Sequence, residues 1–454
     1  MPALALPVVD PDSLLPSARE LEAHVQRALD HARAGGASQA EASVSASRGL
    51  SVSVRKAEVE SLEFQQDREL GVTVYLGGRK GNATTGDLSD AGIRAAVDAA
   101  LAIARATGED PCNGLADAAR MAVARPELAL DHPWDLSADA AIELAKACEA
   151  AAFAVDARIT GSEGASIASH RGRSVYANSH GFVGHRTGTQ HSLSCAVIAS
   201  AGEDMQRDYW YSSARARDDL MDGGAIGRRA GERALARLGS QALGTRVAPV
   251  LFPPELARGF WGHFVGAISG GSLYRKASFL LDRLGQPVFA PGVQLEQRPL
   301  LPRGSASAAW DGEGVATQDR VLVRDGVLEG WLLGSYSARK LGLESTGNAG
   351  GVYNLCVRPG TEDFAQLLHT MGTGLLVTEL LGHGVNLVTG DYSRGAAGFW
   401  VENGEIRYPV EELTIAGNLA EMFRRVVAVG ADVDPLASIR TGSVLVDGMT
   451  IAGR

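Results

Sequence analysis

Cysteine is scarce in this sequence, and histidine never occurs in a zincin pattern. The four cysteines lie far apart and form no paired spacing, which argues against a zinc ribbon or a disulfide framework and favours a reducing compartment. None of the ten histidines is followed by glutamate, and no two of them are four residues apart. The H-E-x-x-H signature is therefore absent.

Long apolar runs and an excess of positive charge are also missing. No apolar run approaches the ~18 residues of a membrane-spanning helix. The opening stretch, MPALALPVVDPDSLLP, lacks the basic region and the long apolar core of a signal peptide. The net charge is −10, whereas nucleic-acid binding requires a basic surface. We therefore expect a cytoplasmic protein with no membrane association and no nucleic-acid partner.

Glycine is abundant, with 55 residues in a chain of 454, which indicates many turns and close backbone contacts. The length allows about three domains. The pattern of helical and strand-like segments predicts an α+β protein. We expect a loose N-terminal arm at 1–14, an N-terminal α+β domain at 15–115, a central mixed domain at 125–240 and a C-terminal domain at 245–454.

Local signals predict several helices and one hairpin. Ser17 and Glu20 form a capping-box pattern before a helix that ends at Gly35-Gly36. The dipeptide Asp325-Gly326 between two short strands predicts a β-hairpin. Helical spacing or composition predicts further helices at 89–105, 137–155, 218–238, 254–264, 362–371 and 416–429.

The most distinctive segment is TGDYSRGAAGFWV at 389–401. It places Asp391, Tyr392 and Arg394 between closely spaced glycines and then turns into Phe399 and Trp400. Charged and aromatic side chains on a glycine-rich loop are typical of a binding surface. The alternative is a tight hairpin closed by a structural pair between Arg394 and Asp391.

Other candidate sites are weaker. The histidines at 180, 185 and 191 lie in a strand-rich region and fit surface positions on a sheet better than a metal site. Ser337 and Lys340 match an S-x-x-K pattern without its companion motifs. The segment GAISGGS at 266–272 lacks a complete phosphate-binding fingerprint, which favours a turn after a helix over an anion-binding loop.

Four stretches together resemble one family. They read GHFVGAISGGSLYRK at 262–276, GSYSARKLGLEST at 334–346, MGTGLLVTELLGHGVN at 371–386 and TGDYSRGAAGFWVENGEIRYPVEELTIAGNL at 389–419. In these stretches the chain is similar to the PmbA/TldD proteins, metallopeptidases once called modulators of DNA gyrase. The resemblance is to the PmbA (TldE) branch in particular.

The resemblance implies an N-terminal α+β domain, a central domain and a β-rich C-terminal domain with mostly antiparallel sheets. It also implies a cytosolic complex of one TldD-type and one PmbA-type subunit that trims or degrades peptides. In the TldD branch, zinc is held by a helix with the motif H-E-x-x-x-H and by a cysteine near the C-terminus.

This chain departs from the zinc-binding pattern. The corresponding helix is expected at 260–268, with His263 at the first histidine, Phe264 at the glutamate and Ile268 at the second histidine. The stretch IRTGSVLVDGMTIAG at 439–453 contains no cysteine. Without the glutamate there is no base to activate a zinc-bound water, and one imidazole does not make a three-ligand site. We therefore predict no metal and no catalytic residue in this chain.

The resulting prediction is a PmbA-type subunit that helps to hold a peptide or unfolded-protein substrate. Its zinc would reside in a TldD-type partner, and the isolated chain could instead form a homodimer. Two alternatives remain: an autonomous metallopeptidase with atypical ligands, and a non-enzymatic modulator that binds a protein target. The candidate peptide- or partner-binding residues are Asp391, Tyr392, Arg394, Arg275 and His263.

Overall fold

The structure, a computed structural model, describes residues 15–453. The arm predicted at 1–14 lies outside the described residues. The helices are α1 (Ala18–Ala34), α2 (Asp90–Ala106), α3 (Ala138–Phe153), α4 (Gly223–Ala236), α5 (Pro254–Ala267), α6 (Gly270–Tyr274), α7 (Ser335–Leu341), α8 (Phe364–Met371) and α9 (Leu419–Arg424).

Strands outnumber helices in the described chain. The strands are β1 (Gln39–Arg55), β2 (Glu58–Leu76), β3 (Arg79–Thr85), β4 (Ile159–Asn178), β5 (Val183–Ala201), β6 (Asp204–Ala214), β7 (Arg246–Phe252), β8 (Leu295–Gln297), β9 (Arg320–Arg324), β10 (Val327–Leu328), β11 (Leu355–Val357), β12 (Gly374–Leu381), β13 (Asp391–Glu402), β14 (Glu405–Asn418), β15 (Val426–Val429), β16 (Ile439–Arg440) and β17 (Val444–Ala452).

One long antiparallel sheet spans the first two sequence blocks, in the order β3-β2-β1-β4-β5-β6. Its centre is β1, which pairs with β2 on one side and with β4 on the other. The blocks at 15–115 and 125–240 therefore share a sheet. Their boundaries remain predictions.

Two helix pairs pack on the same face of this sheet. Helices α1 and α2 cover a core that includes Val44, whereas α3 and α4 cover a core that includes Val52. Both residues lie on β1 at an even spacing, so their side chains point to the same face. Between the two cores this face carries Arg48, which is directly opposite Arg171. A polar strip therefore separates the two apolar cores.

The C-terminal region contains two more sheets. The larger has the order β14-β13-β12-β7-β17-β15, and β14 also pairs with β17. The smaller has the order β10-β9-β8-β11-β16. Helix α5 packs on the larger sheet, and the core between them contains Phe252, Trp261, Phe264 and Phe423, each at most 1% exposed. Burial of this much aromatic surface is a main source of stability for the region.

The predicted α+β class with mostly antiparallel sheets is confirmed. The capping box is confirmed too, because Glu20 N donates to Ser17 Oγ and Ser17 N donates to the Glu20 carboxylate. The Asp325-Gly326 hairpin joins β9 to β10. Among residues 15–453, no helix combines the length and the apolarity that a bilayer crossing requires.

The helix predicted at 416–429 is wrong. Ala416 continues β14, opposite Ser393 of β13 and Thr450 of β17. Only Leu419–Arg424 is helical, and Val426–Val429 returns to strand. Pairing with two distant strands outweighs local helix propensity in this segment.

Candidate functional site

Helix α5 contains the histidine singled out by the sequence. Proline at its first helical position leaves no amide unsatisfied there. Its inner face buries Phe260, Trp261 and Phe264, and the Trp261 indole N–H donates to Thr441 Oγ1 at 2.9 Å. The aromatic residues therefore fix the rotation of the helix and with it the direction of His263.

The imidazole of His263 contacts Tyr392 of β13. The two rings meet edge to face, with centroids 5.8 Å apart and planes at 73°. Tyr392 is 3% exposed, and burial raises the pKa of its hydroxyl to about 12. Burial and the nearby Arg394 guanidinium lower the pKa of His263. Both rings are therefore neutral near pH 7.

Arg394 follows Tyr392 by two positions on β13 and points to the same face. Its Nε donates to the carbonyl oxygen of Leu381 at 3.2 Å. The side chain is half-buried. His263, Tyr392 and Arg394 therefore form one cluster in which the only charge is that of the guanidinium.

Asp391 points away from this cluster, to the opposite face of β13. It is exposed, and its carboxylate accepts hydrogen bonds from Thr389 Oγ1 at 2.6 Å and Asn418 Nδ2 at 3.3 Å. The ion pair considered between Asp391 and Arg394 does not form. The two residues are three positions apart on a strand, and side chains an odd number of positions apart lie on opposite faces. Asp391 instead anchors the turn that precedes β13.

The segment at 389–401 is a strand rather than a glycine loop or a tight hairpin. It pairs with β12 on one side and β14 on the other. Gly390, with φ +84°, makes the turn before the strand. A Cβ at Gly398 would lie 1.9 Å from the carbonyl oxygen of Leu376. This glycine therefore permits close approach of two strands, a role that a loop interpretation of the sequence missed.

Arg275 lies apart from His263, at the end of α6. It is exposed, and its guanidinium interacts with Tyr274 through a 3.0 Å hydrogen bond to the hydroxyl and a cation–π contact at 5.2 Å. Tyr274 in turn meets Tyr336 edge to face at 5.6 Å. Arg275 therefore belongs to an aromatic group that is separate from the His263 cluster.

That aromatic group borders a cleft of about 410 Å³, which we call the α5–α7 cleft. Pattern reasoning did not identify it, although the glycine run at 266–272 was the available signal. A Cβ at Gly270 would lie 2.1 Å from Ser337 Oγ, so glycine brings α6 against α7. The lining includes Val265, Ser269, Tyr274, Glu313, Tyr336 and Asn348.

Asp110, from the N-terminal part of the chain, holds one wall of the α5–α7 cleft. Its carboxylate accepts from Tyr336 Oη at 2.9 Å and lies 2.8 Å from Lys340 Nζ. The hydrogen bond from Lys340, followed by those from the Cys112 amide and Tyr336, lowers the pKa of Asp110 to about 2. Lys340 is thus paired with Asp110, while the Ser337 hydroxyl donates to the carbonyl of Gly334. The S-x-x-K pattern does not assemble a catalytic pair.

The three histidines of the strand-rich region, at 180, 185 and 191, do not form one site. His185 contacts Glu22 at 3.0 Å, and the buried His191 contacts Ser169 Oγ and the carbonyl of His132, each at 3.0 Å. His180 is exposed. Across the described part of the chain, no three histidine, cysteine or acidic side chains are grouped so as to hold a metal ion.

Comparison with known proteins identifies the family. Family models match the chain at 245–453 (PmbA/TldA metallopeptidase C-terminal domain), 131–238 (central domain) and 40–104 (domain 1). Metalloprotease PmbA of Escherichia coli O157:H7 is 51% identical over 434 residues, which cover 96% of each chain. The Metalloprotease PmbA homolog of Haemophilus influenzae is 49% identical, again over 96% of each chain.

The chain belongs to the PmbA/TldD metallopeptidase family.

Solved structures of PmbA/TldD relatives share this fold. One from Bacteroides thetaiotaomicron, described as a modulator of DNA gyrase, has a TM-score of 0.91 and 29% identity, with 96% of this chain and 99% of that chain covered. TldE from Thermococcus kodakarensis has a TM-score of 0.78 at 20% identity, covering 95% of this chain and all of that one. At that identity the second comparison supports the fold alone.

The residues of α5 do not fit the zinc that the PmbA/TldD family implies. Phe264 and Ile268 are each 0% exposed. A metal-ligating side chain at either position would therefore be buried in the apolar core. His263 remains, but the described residues provide no hydrogen-bond partner for its ring and no carboxylate beside it. The neighbouring charge is the Arg394 guanidinium, which would repel a divalent cation.

Proposed function

We propose that this chain is the PmbA-type subunit of a cytoplasmic two-subunit metallopeptidase whose zinc resides in a TldD-type partner. The observation that carries the proposal is the burial of Phe264 on α5 and of Ile268 directly after it, each 0% exposed. A catalytic zinc site needs three protein ligands and an open position for water or substrate. The burial of both positions in the core supports the proposal, because a side chain there could neither reach a metal nor leave a position open to water.

On this proposal the chain contributes binding surface to the complex. The cluster of His263, Tyr392 and Arg394 supplies a half-buried imidazole against a buried tyrosine ring, with one cation beside them. Arg275 and Tyr274 supply an exposed cation and an aromatic ring next to the α5–α7 cleft. Arginine and aromatic side chains dominate the energetics of many protein interfaces, which supports a role in contacting a partner or a peptide or unfolded-protein substrate.

Reconstitution tests this proposal. The chain should be purified alone and mixed with a TldD-type subunit from the same source, and each sample assayed for zinc content, molar mass by light scattering and cleavage of a peptide. We expect zinc and chelator-sensitive cleavage only when the partner is present. The isolated chain should be monomeric or homodimeric, without stoichiometric zinc.

A pair of variants makes the assignment of the zinc sharper. His263→Ala in this chain should leave the zinc content of the complex unchanged, and so should the exposed control His180→Ala. Chelator-sensitive cleavage by the isolated chain, lost together with its zinc in His263→Ala, would instead establish an autonomous metallopeptidase. Binding of a protein target without cleavage by the reconstituted complex would favour the non-enzymatic alternative.

A further inference from the structure

A second cleft lies in the long sheet of the first two blocks, far in sequence from the C-terminal site. It occupies the polar strip between the two helix pairs and has a volume of about 360 Å³, within the range of small-ligand pockets. Its floor crosses four strands, from Phe64 on β2 to His191 on β5. The segment 133–136 covers the β5 side. We call it the sheet cleft.

Two guanidinium groups, Arg48 and Arg171, and one carboxylate, Asp135, line the sheet cleft. Arg48 and Arg171 lie directly opposite each other on adjacent strands, an arrangement that like charges disfavour. Arg171 is held by Asp131, with two hydrogen bonds of 2.9 and 2.7 Å. The half-buried guanidinium of Arg48, in contrast, has no ion pair or hydrogen bond within residues 15–453. An anion in the cleft would give the Arg48 guanidinium an ion-pair partner.

His191 and Ser169 add polarity but no charge. The His191 Nε2–H donates to the carbonyl of His132 at 3.0 Å, which leaves Nδ1 to accept from Ser169 Oγ at 3.0 Å. Burial lowers the pKa of His191, so the ring is neutral near pH 7. The Ser169 oxygen can still accept a hydrogen bond, but its hydroxyl proton is already donated to His191. A ligand anion would therefore depend on Arg48.

The remaining walls favour an apolar or aromatic group beside the anion. Phe64 is 72% exposed at the β2 end of the cleft, and Leu50 forms part of the floor. Trp134 meets His191 edge to face at 5.4 Å and has the Arg217 guanidinium 5.4 Å from its ring centre. Such walls accept a large apolar side chain, since aromatic surfaces give both area and defined geometry.

A carboxylate suits this site better than a phosphate does. Phosphate sites typically use several free backbone amides or a cluster of cations. The centre of the floor is formed by β1 and β4, whose amides are paired with neighbouring strands on both sides. One guanidinium that can bind two oxygens side by side matches a carboxylate.

The edge of β2 indicates how a peptide would reach the cleft. Strand β3 pairs with β2 only from Leu70 to Leu76, so the outer edge of 58–69 has no strand partner in the described part of the chain. Along this edge Val59, Leu62 and Phe64 are 44%, 45% and 72% exposed. An unpaired, partly apolar edge is a template for an added strand.

We propose that the sheet cleft binds the carboxy-terminal end of a peptide, with its α-carboxylate on Arg48, its last side chain between Phe64 and Trp134, and its preceding residues paired with the free edge of β2. This site is independent of the role proposed for the C-terminal region. It requires no metal and no second subunit.

Calorimetric titration of the full chain tests the proposal with acetyl-Ala-Ala-Ala-Phe as the free acid and as the C-terminal amide. We expect the free acid to bind about tenfold or more tightly than the amide, because the amide cannot form a charge-assisted pair with Arg48. Arg48→Gln should abolish this preference and Arg48→Lys should reduce it. The exposed Arg94→Gln on α2, outside the cleft, should retain it.

Further measurements keep the result interpretable. Arg48→Gln should unfold at a temperature no lower than the wild type, since it removes a repulsion with Arg171. N-acetylphenylalanine should bind more weakly than the tetrapeptide acid, because it lacks residues to pair with β2. Equal binding of acid and amide, no binding of either, or an unchanged preference in Arg48→Gln would overturn the proposal. N-acetylphenylalanine binding as tightly as the tetrapeptide would assign the cleft to small acids and overturn the peptide assignment.

Discussion

His263 and Tyr392 are 129 positions apart in the sequence, yet their rings meet edge to face at 5.8 Å. The contact joins α5 to β13, and both residues lie in stretches that resemble the PmbA/TldD family. It also places the imidazole next to the Arg394 guanidinium, which contributes to the lowered pKa of His263. Substitutions at this contact therefore test both the electrostatics and the proposed binding role of the cluster.

Arg394→Ala should raise the pKa of His263, because it removes the positive charge that disfavours the imidazolium. If the cluster contacts the partner or the peptide, the same change should weaken assembly or cleavage roughly fivefold or more, as expected for an interface arginine worth about 1 kcal/mol. NMR titration of the imidazole and light scattering of the reconstituted complex measure the two effects. Arg394→Lys, which keeps the charge, should leave the pKa of His263 low. Unchanged assembly and turnover in Arg394→Ala would rule out the binding role.

The stability that His263 and His191 contribute should fall as the pH drops below about 6.5, the ordinary pKa of histidine. The folded-state pKa values of His263 and His191 lie below that value. Between the folded-state and the unfolded-state pKa, the unfolded chain therefore binds more protons than the folded chain. The stabilisation is complete above the unfolded pKa and is lost as the pH falls through the folded values.

Denaturation at a series of pH values measures this slope. Arg394→Ala should make the slope shallower, because it brings the pKa of His263 closer to its unfolded value. His191 is bonded to Ser169 and His132 in another region and should keep its contribution. A steeper slope in the variant would contradict this account.

Two glycine substitutions should have opposite effects. Gly398→Ala places a Cβ 1.9 Å from the Leu376 carbonyl oxygen, so β12 and β13 must separate, at a cost of about 1–3 kcal/mol or more. Gly259→Ala on α5 meets nothing within 4 Å and should stabilise the helix by up to about 1 kcal/mol. Chemical denaturation of the two variants compares them directly. Equal stability of both would refute the close-approach role of Gly398.

Local structure was predictable where the signal lies within a few residues. The capping box of Ser17 and Glu20 and the hairpin at Asp325-Gly326 are examples, because their hydrogen bonds are short-range. The extent of β1 was not predictable. Its polar centre at Arg48-Gly49 interrupts the apolar alternation of the sequence, but pairing on both sides makes the strand continuous.

The candidate site was predictable only in its parts. The sequence identified His263, Tyr392 and Arg394 as residues of interest, yet their meeting depends on how α5 packs against β13. Asp391 was expected beside them, and the alternation of strand side chains places it on the other face. At the α5–α7 cleft Tyr336 is hydrogen-bonded to Asp110, 226 positions away in the sequence. No local sequence pattern predicts such a contact.

Asp110→Asn should loosen the contact between the N-terminal region and α7. The carboxylate receives hydrogen bonds from both Lys340 and Tyr336, and its pKa of about 2 means that their stabilisation is complete above pH ~4 and is lost as the pH falls toward 2. Hydrogen exchange at 110–116 and 335–341 should increase in the variant at neutral pH. Asp98→Asn, which removes a surface contact to His31, is the matched control and should leave both segments protected. Equal protection from hydrogen exchange in the two variants would show that Asp110 does not hold this wall of the α5–α7 cleft.

Phe264→Glu tests whether the position expected to correspond to the glutamate of the TldD-type motif can carry a carboxylate in this chain. The Phe264 ring is 0% exposed and lies 5.1 Å from that of Phe289 and 6.3 Å from that of Phe423. An unpaired carboxylate buried there would cost several kcal/mol, a large part of the ~5–15 kcal/mol that holds a typical domain folded. We therefore expect Phe264→Glu to unfold or aggregate and to gain no zinc. Phe264→Leu, which stays apolar, should remain folded with a lower melting temperature. A folded Phe264→Glu protein with the wild-type melting temperature would mean that α5 can rotate this position toward solvent. The burial of Phe264 would then no longer support the proposal that the zinc resides in the partner.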